Sequence, residues 1–183
     1  MRRIINSTYI SLDGVVEQPH MWPTIERPSD ERGDQIQSDL LMACDAVLMG
    51  RRTYEGFAPA WQARSGDPFS DRMNTMPKYV VSTTLKDPEW ANSTVISDDV
   101  AGRIRALKSE PGQDIVQYGF GAVSALLMEH GLLDELRLWI HPLFVAEGTT
   151  DDLLFPNARP THFELVDSTI LKGGMAILSY RLA

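Results

Sequence analysis

Two short strand-like runs in this chain end in glycine and pass at once into a helical stretch: Ala46–Met49 into Gly50-Arg51-Arg52-Thr53, and Asp114–Tyr118 into Gly119-Phe120-Gly121. A strand handed over to a helix through glycine is the joint of a β-α unit, and open α/β sheets keep their ligand crevice at such joints. The remaining segments repeat the alternation. Arg3–Ile10 is expected as the first strand, stopped by the Asp13-Gly14 turn. Lys78–Ser82 and Thr94–Ile96 follow as strands, and Glu135–Val145 as a long strand broken or bent at Pro142. Helices are expected over Asp30–Ala43, in a short piece after Thr53, over Asp98–Lys108 and over Ala122–His130. The first of these carries Ile36, Leu40 and Leu41 on one face, with Ser29 or Asp30 as its cap. Val15–Ser29, with Pro19, Trp22, Pro23 and Pro28, has the make-up of an ordered loop, and the stretch through Asp67 and Asp71 that of a polar loop. Phe163–Ile170, the Gly173-Gly174 turn and Ala176–Leu182 have the form of a closing antiparallel hairpin.

A length of 183 residues suits a single domain, 1–183, that buries roughly 70% of its unfolded surface. Such a core needs neither disulfide nor structural metal. Cys44 is the sole cysteine, so no internal bridge can form and a reducing, cytoplasmic setting is expected. A net charge of −8 disfavours a nucleic-acid partner, since the basic pairs Arg2-Arg3 and Arg51-Arg52 do not extend into a stripe. The start lacks the apolar run of a signal peptide, and no stretch reaches the ~20 apolar residues of a membrane span.

The chemistry concentrates at the two joints. Glycine after a strand lets the backbone approach a phosphate, and the helix beyond aims N–H groups and partial positive charge at it. Arg51 and Arg52 in a first helical turn oppose the helix dipole, a local conflict that an anionic ligand would resolve. A Rossmann fingerprint does not account for Gly119-x-Gly121. It lies far along the chain, and His141-Pro142 stands where an acidic residue should follow.

Leu48–Glu55 (LMGRRTYE) resembles the MGRxTxE segment of dihydrofolate reductases. Ile10–Gly14 (ISLDG), Lys78–Thr84 (KYVVSTT), Tyr118–Val123 (YGFGAV) and Gly131–Gly148 (GLLDELRLWIHPLFVAEG) resemble, in order and spacing, segments of that family's riboflavin-biosynthesis reductase branch. The resemblance spans nearly the whole chain. It implies a three-layer dihydrofolate-reductase-like α/β fold: a mostly parallel central sheet with an antiparallel C-terminal hairpin, and NADPH across its carboxyl ends. On matching positions, Gly50, Arg51, Arg52 and Thr53 would hold the 2′-phosphate and pyrophosphate, and Ser82 and Thr83 would lie by the adenosine ribose phosphate. Gly119, Gly121, Ala122 and Val123 would form the pyrophosphate turn, and Asp13 and Gly14, in the loop to Val16, would border the nicotinamide. Phe120 departs from the family's Gly-Gly-Gly turn, and Glu147 brings a negative charge to a turn that is often glycine-rich.

For catalysis the resemblance points to a helix carboxylate beyond a loop Trp. Trp22 is such a Trp, and among Asp30, Glu31, Asp34 and Asp39 the spacing back from Gly50 favours Asp34. Capping is the plainer role for acids at a helix start. Trp22 and Trp61 could wall a planar substrate or simply plug the core. His141 reads as a core or interface histidine, Cys44 as inert packing, and His20, His130 and His162 show no metal-ligand spacing. The implied activity is hydride transfer from NADPH to a small planar heterocycle, pteridine- or pyrimidine-like. The competing reading is a non-catalytic NADP(H)-binding sensor or scaffold. Reduction of a ribosyl-pyrimidine in riboflavin synthesis itself is disfavoured, because the zinc-ligand signature of the accompanying deaminase is missing from the sequence. A homodimer is expected, with Leu136–Phe144, centred on Trp139, as either core or seam.

Overall fold

The computed structural model describes residues 1–23, 30–154 and 160–183. Its strands are β1 (Ile4–Ser11), β2 (Cys44–Gly50), β3 (Lys78–Val81), β4 (Ser93–Ile96), β5 (Asp114–Tyr118), β6 (Glu135–His141), β7 (Phe163–Ile170) and β8 (Ala176–Leu182). They form one 8-stranded sheet in the order β4-β3-β2-β5-β1-β6-β8-β7. The pairs from β4 to β6 are parallel, and β8 and β7 close the edge as an antiparallel hairpin. The expected three-layer fold with its mostly parallel sheet and C-terminal hairpin is the one observed.

Interior strand β2 is largely apolar on both sides because cores lie against both of its faces. In β2, Val47 and Met49 enter one core with Val116 of β5, Leu40 and Leu41 of α1 (Glu31–Met42), Tyr54 and Ala58 of α2 (Arg51–Gln62) and Met73 of α3 (Pro68–Thr75). Ala46 and Leu48 point the other way, joining Ile115 of β5, Ile104 and Leu107 of α4 (Val100–Ser109) and Leu127 of α5 (Ala122–Glu129). The period of two along each strand thus assigns alternate side chains to two cores.

Asp30 caps α1, accepting from the Arg32 N–H, while Pro28 and the alternative cap Ser29 lie outside the described residues. The polar loop expected through Asp67 and Asp71 is in fact α3. Asp67 caps it by accepting from the Ser70 N–H at 2.9 Å and Pro68 opens it. An eight-residue helix burying only Ser70 and Met73 leaves almost no periodic trace in the sequence. The helix after Thr53 runs to Gln62 despite Pro59, so it is longer than expected. Conversely, β6 stops at His141: Pro142 has no N–H for the ladder, and the chain turns by a Leu143 N–H to His141 carbonyl bond of 2.8 Å. With β1 on one side and β8 on the other, β6 is interior and Trp139 is 2% exposed, so it belongs to the core. The β7–β8 ladder of the expected hairpin carries an irregularity. A bulge between Leu165 and Asp167 leaves both Leu165 and Val166 exposed on the sheet edge.

Candidate active site

In this sheet the chain leaves β2 towards β3 but leaves β5 the opposite way, over β1 to β6. The switch point therefore falls between β2 and β5, where adjacent parallel strands open a crevice at their carboxyl ends. Met49 and Tyr118 are register partners there, so the two glycine joints that follow them are neighbours. A Cβ on Gly119 (φ +77°) would lie 2.2 Å from Thr53 Oγ1, and one on Gly50 3.4 Å from Val123 Cγ2. A Cβ on Gly121 would meet nothing within 4 Å, since that glycine faces open space. The structure thus gathers Gly50, Arg51, Arg52, Thr53, Gly119, Gly121, Ala122 and Val123 around one crevice.

Its electrostatics suit an anion. Gly50 and Gly121 are the N-caps of α2 and α5, neither end has a side-chain cap, and neither first turn holds an acid. Two uncapped N-termini thus meet at one place. Arg51 pairs with Glu55 at 2.8 Å, each about half exposed, which leaves the guanidinium at the rim within reach of a second partner. Arg52 is exposed and acts electrostatically on two carboxyls: Asp152 is held down by the Thr149 N–H and hydroxyl with Arg52 adding to them, and Glu17 is lifted by burial against the pull of Arg52. Val81 pairs with Gly50, so Ser82 and Thr83 follow directly beside α2. The Ser82 hydroxyl accepts from the Thr84 and Leu85 N–H groups at 3.1 and 2.9 Å and holds that turn, whereas Thr83 is exposed.

Asp13 has a structural role. It accepts from the Ser11 hydroxyl and from the Ala146 and Val145 N–H groups, and these bonds hold its carboxyl down at about 2. It ties the loop after β1 to the loop after β6. Gly14 (φ +86°) accepts from the Leu154 N–H at 2.9 Å, and Val15 bridges Leu153, so residues 13–16 are stapled to the segment around 153.

Beyond β1, on the face of α1, lies a cleft of about 220 Å³ lined by Tyr9, Gln37, Trp139 and Met175, with Asp34 exposed at its wall. Asp30, which also lines it, accepts from the Lys172 and Arg32 N–H groups, and Asp39 is engaged by Gln35 on the solvated face of α1. Trp22 does not line this cleft. It is 9% exposed, packs with Val15 and Leu143, and donates its ring N–H to the Glu17 carbonyl. Its ring meets His141 edge-on at 5.4 Å, and His141 meets Tyr9 at 4.7 Å, so Trp22 buttresses the cleft through two intervening rings. Trp61 stands apart, at the opposite end of α2 among Phe57, Phe69 and Arg64, so the two Trp residues do not form one wall. Burial pushes the Cys44 thiol up to about 12, in keeping with inert packing.

Tyr9, Gln37 and Trp139 were not expected in a site. Their only signal is parity. Tyr9 on β1 and Trp139 on β6 are register partners on one sheet face, which no local motif shows.

The chain is an α/β domain in which two helix N-termini meet at the carboxyl ends of adjacent parallel strands, with a polar-aromatic cleft on the face of α1. The RibD C-terminal domain pattern matches residues 2–177, and the chain belongs to that family. A Bacillus subtilis (strain 168) relative named "Uncharacterized protein YyaP" is 26% identical over 187 residues, covering 98% of this chain and 94% of the relative. Among solved structures, a putative riboflavin biosynthesis protein from Shewanella sp. PV-4 superposes with a TM-score of 0.70 at 17% identity, over 100% of this chain and 99% of that one. The Thermotoga maritima diaminohydroxyphosphoribosylaminopyrimidine deaminase/5-amino-6-(5-phosphoribosylamino)uracil reductase superposes at 0.68 and 16% identity, with 100% of this chain matching 57% of that chain. Among the described residues no helix is long and apolar enough to cross a membrane.

Proposed function

We propose that this chain is an NADPH-dependent reductase that delivers hydride to a small planar heterocycle, pteridine- or pyrimidine-like. The carrying observation is the meeting of the Gly50 and Gly119 joints at the switch point, two acid-free helix N-termini beside two arginines. That donor set fits a pyrophosphate flanked by a ribose phosphate. Gly50, Thr53, Gly119, Gly121, Ala122 and Val123 would hold the pyrophosphate. Arg51 and Arg52, with Ser82 and Thr83 beside them, would hold the 2′-phosphate. The stapled Asp13-Gly14 loop would border the nicotinamide. When bound, the reduced nicotinamide supplies the hydride.

The chain supplies position and a place for a proton. Asp34, an acceptor at the mouth of the Tyr9–Trp139 cleft, would hold a ring N–H of the heterocycle through its carboxylate. Tyr9 and Trp139 offer flat apolar surface, and Trp22 fixes them from behind through His141. We also propose a homodimer built on the exposed edge strand β7, where Leu165, Val166 and Ile170 are 55%, 44% and 65% exposed.

Fluorescence titration tests the cofactor. NADPH is expected to bind at least tenfold more tightly than NADH, and Arg51→Ala to remove most of that preference by losing a charge-assisted contact worth roughly 1.5–3 kcal/mol. Equal affinities for the two cofactors overturn the 2′-phosphate assignment. Tight NADPH binding with no oxidation across pterins, pyrimidines and quinones would instead make the chain a binding module without turnover.

A further inference from the structure

Three polar side chains lie where apolar ones would pack. Asn6 in β1, Gln117 in β5 and Ser124 in the first turn of α5 are 0%, 1% and 0% exposed, among buried neighbours such as Ile4, Ile115 and Leu127. They form one network. Asn6 Nδ2 donates to Gln117 Oε1 at 2.6 Å and to the Gly119 carbonyl at 2.9 Å. Gln117 Nε2 donates to the same carbonyl at 2.7 Å and to Ser124 Oγ at 2.9 Å, and the Ser124 hydroxyl donates back to Gln117 Oε1 at 3.2 Å. An apolar trio would avoid the desolvation of two amides, and the network is kept although Asn6 Oδ1 is left without a partner.

Its point of convergence explains the arrangement. Both amides grip the carbonyl of Gly119, the residue at φ +77° that opens the turn into α5. A carbonyl facing the crevice would repel an anion there, and this one is drawn into the interior. Thr53 closes over the same glycine from the α2 side. The turn is thus gripped from below by two amides and bounded from above by a side chain of the other helix N-terminus.

We infer that Asn6 and Gln117 are positioning residues for the pyrophosphate turn, keeping its carbonyl dipole turned away from the cofactor phosphates. The inference rests on the proposed binding of NADPH at the switch-point crevice. Gln117→Met keeps the volume and removes both amide functions. Gln117→Glu keeps the shape but sets an oxygen against the Gly119 carbonyl.

Calorimetric dissociation constants are compared for NADPH and for adenosine 2′-monophosphate, which has the ribose phosphate and no pyrophosphate. Gln117→Met is expected to weaken NADPH at least tenfold and adenosine 2′-monophosphate less than twofold, with Gln117→Glu weaker still for NADPH. A merely structural defect would weaken both ligands alike, and that result, or unchanged NADPH affinity, overturns the inference. Should the variants fail to fold, the wild-type side-chain amide resonances of Asn6 and Gln117 decide: they are expected to shift with NADPH and not with adenosine 2′-monophosphate, and no shift overturns it. If the wild-type chain does not bind NADPH, the proposed function falls together with this inference. If it binds while the variants match it, only the network's role falls.

Discussion

Lys78 has no exposed surface, and its ammonium donates to the Asn74, Met76 and Ala91 carbonyls at 2.9, 2.9 and 3.0 Å while standing 4.5 Å above the Trp90 ring. Burial pushes its pKa down to about 8, so at neutral pH the three-donor cation persists. It locks the end of α3 to the loop before β4. Lys78→Met leaves three carbonyls without that donor and is expected to cost about 2–4 kcal/mol in chemical denaturation, where a loss under about 1 kcal/mol would deny it the locking role. Sequence alone shows a lysine opening a strand and gives no hint that it is enclosed, because its partners are backbone atoms. The same limit hid Asn6 and Gln117, whose meaning lies in one carbonyl they share across β1 and β5. Arg51, Arg52 and the glycines were legible because their types conflict with their local setting, arginine against a helix dipole and glycine where a strand should continue.

Among the elements, the ones with a strong period were legible and the ones defined by a partner were not. The extent of β5 follows from its β-branched centre between Pro111-Gly112 and Gly119, whereas α3 depends on a cap and a proline that equally describe a turn. The loops after β1 and β6 are joined by Asp13, a link between positions 132 and 133 residues apart that no spacing rule predicts. Its carboxyl, held at about 2 against an ordinary 3.8, stabilises the fold above the unfolded value and loses that contribution as pH falls through the window towards 2. Asp13→Asn is therefore expected to lower the denaturation midpoint at pH 7 and to converge with the wild type between pH 4 and pH 2. Parallel curves across that range would mean the tie carries no linkage.

On the scale of the whole molecule, the family resemblance supplied the mostly parallel central sheet, while its strand order was not legible in the sequence. The parallel body and the closing hairpin both match it. Of the two readings for Leu136–Phe144, core or seam, the interior place of β6 favours core, and the proposed dimer is therefore put on the edge strand β7. Light scattering is expected to show a particle of twice the 20.5 kDa chain at micromolar concentration, and Val166→Lys to shift it towards the monomer. A 20.5 kDa species at every concentration removes the dimer.

The placement of β5 between β1 and β2 also bears on when the central ladders of this sheet can form. The two strands translated first cannot be bonded side by side; their shared neighbour emerges only after α4. Before β5 is in place, the edges of β1 and β2 that face it lack their ladder partner, and unpaired strand edges invite pairing with other extended peptide. Because β5 makes one wall of the proposed binding place, a dinucleotide bound there would reward completed folding and would not template its beginning.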